Sequence, residues 1–279
     1  MNNGKVKNII IIILLTVNLF LAAIVVINSA EERQYEEAAR SSLREAVENS
    51  GISLSDPAIL SLKPIPECRA ARSISGETKL VSGLLGSGDR SDQGGNIVMY
   101  YGKNGQACYR GTGDFEILME NNFIKTDSNP IKAARSALKK IGIDPVDATM
   151  AQTDMSSGGS TVTATCAYKD LPVVNCRVTL TFSAENLLLV TGTRILDNVS
   201  PNNNTEVIDV NTAVMRFLQM LKESGYACRE ITDLSHCYKM DVAASGDATL
   251  TPLWHFETDI GDFYINGITG KTETVTQSN

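Results

Sequence analysis

Histidine is nearly missing from this 279-residue chain: His236 and His255 are the only two. With no third histidine to complete a metal triad or to supply a second catalytic base, strand packing is the expected role of both. A basic surplus is missing as well. Lys and Arg number 25 against 32 Asp and Glu, a net charge of −7, whereas a protein that replaces counterions on phosphate needs the opposite balance. No nucleic-acid partner is expected. Among Cys68, Cys108, Cys166, Cys176, Cys228 and Cys237 there is no Cys-x-x-Cys pair, which speaks against zinc knuckles, iron–sulfur ligation and thioredoxin-like exchange. No metal and no cofactor are expected. The rest is ordinary globular usage, 43% hydrophobic and 20% charged, which excludes wholesale disorder and suits about two domains at this length.

Complete catalytic motifs are also lacking. Ser136-Ala-Leu-Lys139 has Ser-x-x-Lys spacing, but it lies in an amphipathic helical pattern without the accompanying Lys-Thr-Gly and Ser-Asp-Asn motifs. Gly270-Lys271-Thr272 resembles the end of a phosphate loop, yet Ile265 stands where the earlier glycine belongs and only seven residues follow. No catalytic residues are assigned, and the chain is not expected to be an enzyme. Asp259 and Asp262 flank Gly261, where turn chemistry is favoured over a calcium loop.

What is present first is an uncharged run of 19 residues, Ile9–Ile27, about 28 Å as a helix and long enough for a hydrocarbon core. Lys5 and Lys7 precede it and Glu31, Glu32, Glu36 and Glu37 follow, so the expected topology has residues 1–8 in the cytoplasm, a single-pass anchor over 9–27 and the rest outside the cell membrane. A cleaved signal peptide is the alternative, disfavoured by the length of the run and by Asn28 at its exit. Ile11, Leu15, Asn18, Ala22 and Val25 share one helical face, where an amide and a small residue suit a seam with another helix; an unpartnered face is the alternative.

Beyond the run, Tyr35–Asn49, Asn129–Ile141 and Asn211–Glu223 read as amphipathic helices, each stopped by a glycine, Gly51, Gly142 and Gly225. Asn129 and Pro130 form the clearest start signal. Strand-like sequence follows each helix. The expected fold class is therefore α+β, a transmembrane helix followed by repeated helix plus antiparallel β-meander units over 28–125, 126–200 and 206–279. Residues 199–205 read as a polar linker and 83–95 as a flexible loop. Val162, Ala164, Cys166 and Tyr168 alternate, as do Val174, Cys176, Val178, Leu180 and Phe182, marking a half-buried sheet. Cys166 and Cys176 fall on the apolar faces of consecutive strands, placed either for a disulfide or as buried thiols. A hairpin turning at Asp259–Asp262 sets Trp254 and Phe256 near Tyr264, as an exposed aromatic platform or as cross-strand packing.

The N-terminal Lys-x-Lys, the Ile-rich run with Asn18-Leu19-Phe20-Leu21, the Asn-Ser-Gly51-Ile52 helix end, Tyr168-Lys-Asp-Leu-Pro172, and Pro252-Leu-Trp254 through Phe263-Tyr264-Ile265 to Gly270 together resemble the YycI/YycH family of membrane-anchored regulators. The C-terminal part also resembles PepSY-type modules. The first resemblance implies a non-enzymatic regulator of a WalK-type sensor histidine kinase, with the kinase's transmembrane helices and a sister membrane-anchored regulator as partners. The second implies an external module that binds a peptide or inhibits a peptidase. A cell-envelope hydrolase is disfavoured by the missing nucleophile–base pair.

Overall fold

Helix stop signals in the sequence act where they stand. In the computed structural model, which describes the backbone of residues 3–56, 60–120, 129–156, 158–183 and 186–275 and their side chains except at 3–13, 23–33 and 36, the first helix, α1 (Asn3–Asn49), runs unbroken to its glycine. Gly51 takes φ 78, and the Ile52 N–H returns to the Val47 carbonyl at 3.3 Å, closing the helix in the left-handed manner that suits glycine. Of the described side chains of α1, those entering the core are Leu43 and Val47 at its end.

The chain continues through β1 (Ser53–Leu54), β2 (Cys68–Ala71), α2 (Ile74–Leu85), β3 (Gly88–Gly94), β4 (Ile97–Gly102), β5 (Gly105–Arg110) and β6 (Asp114–Met119). It goes on with α3 (Pro130–Lys140), β7 (Ala151–Asp154), β8 (Gly159–Tyr168), β9 (Leu171–Ser183), β10 (Asn186–Thr193) and β11 (Ser200–Pro201). The last stretch holds α4 (Val210–Ser224), β12 (Glu230–Val242), β13 (Asp247–Thr258), β14 (Gly261–Asn266) and β15 (Thr272–Glu273). Asn129 caps α3 by accepting the Lys132 N–H at 3.0 Å, as Asn-Pro predicts.

The expectation of repeated helix-plus-meander units is overturned. The 15 strands of the described residues join one mixed sheet, whose main path runs β11-β2-β13-β12-β9-β10-β6-β5-β4-β3. The join is made by β9. At 13 residues it is about 43 Å long, enough to serve two neighbours on one edge: Val173 pairs in parallel with Tyr238 of β12, and Val178–Ser183 pair with β10. Further along, β2 pairs with β13, Leu250 opposite Cys68, and β1 runs parallel to β12. A meander standing alone would leave unpaired N–H and C=O groups along its edges; here strands from distant parts of the chain take those edges, and the segments lose their independence. Residues 83–95 are not a loop either, since α2 reaches Leu85 and β3 begins at Gly88.

The membrane-spanning helix of the expected fold class needs a correction as well. Among the described residues no helix is long and apolar enough to cross a membrane. Leu14–Ala22 stand exposed on α1, which continues past them into the polar stretch up to Asn49.

Two cores lie on the sheet. One, under α2 and α3, is built from Leu84, Leu138, Ile117 and Phe182; the other, under α4 and the end of α1, from Val47, Phe217, Trp254 and Phe256. Burial alternates as the sequence predicts over Val162–Ala164 and Cys176–Phe182, but Thr165 and Cys166 are buried in succession at the β8 bulge, and in β9 Val173 is buried in place of Val174.

Candidate functional site

The geometry that stands out begins with α4. Asp209 caps it by accepting the Thr212 N–H at 2.8 Å. Partial burial disfavours the ionised carboxyl, but the hydrogen bonds from Thr212 outweigh it and hold the group below its ordinary range. Gly225 ends the helix at φ 70. The inner stripe Ala213, Val214, Phe217 and Leu221 is buried, with Phe217 stacked on Phe256 at a centroid distance of 4.3 Å. The outer stripe is Asn211, Met215, Leu218 and Lys222, at spacings of four, three and four. Between it and the last turns of α1 lies an open groove of about 1040 Å³, entered by Ala46, Ser50 and Ile52 from one side and Tyr226 from the other. Met215 is 52% exposed and Tyr226 55%. Among the described residues, the charged side chains lining the groove are Arg216 and Lys222, with no carboxylate beside them. Glu48 and Glu223, which lie nearby in sequence, are engaged by Arg44 at 2.7 Å and Gln219 at 2.7 Å.

A second concentration of chemistry is buried. Glu77, on the inner face of α2, has no exposed side-chain surface. Arg72 clasps it with two donors, Nε to Oε1 at 2.8 Å and Nη2 to Oε2 at 2.9 Å. Arg194 Nη2 donates to Oε1 at 2.5 Å and the Tyr100 hydroxyl to Oε2 at 3.1 Å. Arg194 also binds Asp197 at 3.2 Å, which accepts the Ser73 N–H. Two cations and two anions balance. Burial disfavours the charged Arg194, but Asp197 and then Glu77 outweigh it, so its affinity for the proton rises. This cluster ties α2 to the segment that follows β10, around Arg194, and is read as a structural clasp.

The sequence-derived candidates fall in several places. Of the seam residues, Leu15, Asn18 and Ala22 are exposed on α1, while the side chains of Ile11 and Val25 lie outside the described residues. Trp254 is 1% exposed and Phe256 is fully buried, so neither belongs to an exposed platform. Tyr264 does not share their face, because the hairpin register sets Trp254 opposite Ile265 and His255 opposite Tyr264; a one-residue difference in register reverses which side of a sheet a residue occupies. Cys166 and Cys176 are both buried and carry free thiols. Thr165 pairs with Arg177 and a bulge follows, with Cys166 in it. Burial pushes the Cys166 thiol up to about 12 and raises Cys176 too, with Cys166 adding to the rise. Such thiols are poorly reactive.

Sequence reasoning paired neither histidine with a partner. His255 stacks on Tyr264 at 4.7 Å, with Ser235 Oγ 3.3 Å from Nδ1 and Asp262 3.5 Å from Nε2, a row running across three strands. His236 packs on Trp254 at 4.3 Å and its Nε2–H donates to the Lys63 carbonyl at 2.8 Å. Burial lowers its pKa, and the hydrogen bonds to backbone carbonyls only partly offset this. A group depressed in the fold lets the unfolded chain take up the proton first, so its contribution is complete above the unfolded value of about 6.5 and is lost as pH falls through the folded one. Thermal melts from about pH 7.5 down to about pH 5.5 should therefore show stability falling in the wild type and falling less in His236→Gln. Parallel curves would remove His236 from the account.

No family model and no curated protein matches this chain. Two solved structures are similar in outline. An uncharacterized protein from Eubacterium rectale is 8% identical, with a TM-score of 0.42 over 77% of this chain and 86% of that one. The C-terminal domain of YpeB from Bacillus megaterium is 10% identical, with a TM-score of 0.37 over 75% of this chain and 99% of that one. Both scores are low, so neither likeness carries a function to this chain, and the YycI/YycH resemblance finds no support in them.

Proposed function

We propose that this chain is an external, PepSY-like binding module that captures a polypeptide segment in the groove between α1 and α4. One observation carries the reading. Outside α1, the two most exposed large hydrophobic side chains of the described residues are Met215 and Tyr226, and both line the same groove. Isolated exposed apolar residues are ordinary, but two gathered at one concave site mark an interaction surface. Its volume and openness suit a stretch of chain better than an enclosed small molecule. Leu14, Leu15, Val17, Leu19, Phe20 and Leu21, each at least 49% exposed on α1, would give the module a second apolar contact by which it is held in place.

Peptides selected for binding from a displayed random library against the full chain should weaken about tenfold or more on Met215→Asp, the loss expected for a contact at the centre of an interface. That variant sits on an exposed position and should melt at the wild-type temperature. Peptides that bind Met215→Asp and wild type alike would place the binding surface elsewhere.

A further inference from the structure

We infer that the segment held in the groove is an acidic amphipathic helix, an inference that rests on the groove reading above. The long wall is the helix α4, whose mid-helix N–H and C=O groups are spent on its own ladder, and facing it are Ala46 near the end of α1 with Ser50 and Ile52 just beyond, while Gly225–Cys228 close the groove. An extended peptide added to a sheet edge gains main-chain hydrogen bonds; this groove has no strand among its lining residues, so an extended peptide finds no ladder to join and its own polar backbone loses water with little replacement. A helix brings its backbone bonds already made and offers only side chains, which is what this groove receives.

The chain as a whole carries −7, yet among the described residues the ionic side chains lining the groove are Arg216 and Lys222, and no carboxylate joins them. Arg216 has only a long contact with Gln219, at 3.4 Å. The two cations lie six residues apart on α4, about 9 Å along its axis. Acidic side chains about seven residues apart on one face of an incoming helix would meet both, while leucine-like residues between them cover Met215, Leu218 and Tyr226. A basic or zwitterionic helix of the same shape would set like charge against like charge at the rim.

Three synthetic helical peptides test this against the full chain: one with an apolar stripe flanked by glutamates, the same peptide with lysines in their place, and the glutamate peptide with a central proline that breaks the helix. The acidic helix should bind about fivefold to tenfold more tightly than the lysine version, the gain expected from two rim ion pairs. The gap should close at high salt, and the proline peptide should lose most of its binding. Arg216→Glu with Lys222→Glu should reverse the preference between the acidic and basic helices. Binding that needs Met215 but ignores charge sign or helicity would overturn this inference and leave the groove reading standing. Binding of all three peptides that Met215→Asp leaves untouched would overturn both, as would no binding by any of them. Dimers of the chain that dissociate on Met215→Asp would name a second copy as the occupant instead.

Discussion

Glu77→Ala should cost about 3–5 kcal/mol of folding stability, a large share of the roughly 5–15 kcal/mol available to a folded protein. The reason is not the loss of one attraction but what stays behind. Glu77 is the shared acceptor for Arg72 and Arg194, whose side chains are 10% and 6% exposed. Without it, two guanidinium groups remain out of water with only Asp197, main-chain carbonyls and the Tyr109 ring, 5.4 Å from the Arg194 carbon, to answer them. Removing one member of a buried ionic group leaves an uncompensated charge, whereas removing all its members can be nearly neutral. The combined Arg72→Met, Glu77→Leu, Arg194→Met and Asp197→Asn chain should therefore be more stable than Glu77→Ala alone. Urea denaturation reads both, as a shift of the midpoint at unchanged slope. A Glu77→Ala loss below about 1 kcal/mol would mean that water reaches the cluster and that it is no clasp.

The same residue explains why α2 was illegible. Ile74, Glu77, Val81 and Leu84 follow one another at three, four and three, a helical stripe whose second member is charged. Periodicity arguments read that carboxylate as a break in the apolar face, though the structure buries it as deeply as its neighbours. By contrast α3 and α4 were readable because their signals are local: Asn129-Pro130 at one start, Gly142 and Gly225 at the ends. The strand β3 hid for another reason. It lies at the edge of the sheet with six of its seven residues exposed, so Gly88–Gly94 shows no alternation to find. Sheet order was out of reach altogether. Nothing in residues 171–183 says that the first part of the strand will meet β12 and the last part β10, because pairing partners do not enter the period of a strand. The groove was half legible: Leu218 falls within the apolar pattern of α4, and its place at the boundary, packed against the core and lining the groove, depends on where the end of α1 lies.

Phe217→Ala is expected to be comparably damaging, about 3–5 kcal/mol, and for an opposite reason. Phe217 is fully buried, stacked on Phe256 at 4.3 Å with the planes 10° apart, and 5.6 Å from Phe263. It is the largest side chain that α4 sends into the sheet, and truncation leaves a cavity that β13 and β14, fixed by their own ladder, cannot close. Met215 stands two residues away on the outer face, so Met215→Ala should change stability by less than about 0.5 kcal/mol. Phe217→Leu, which keeps most of the volume, should fall between them. The contrast also bears on function, since α4 forms a wall of the groove only while its inner stripe holds it down. Phe217→Ala should weaken capture of a helical peptide without touching any groove residue, in proportion to the fraction of α4 released, and amide exchange along 210–224 measures that fraction. If Phe217→Ala costs no more than Met215→Ala in urea, the inner stripe does not anchor α4 and the groove must owe its shape to α1 instead.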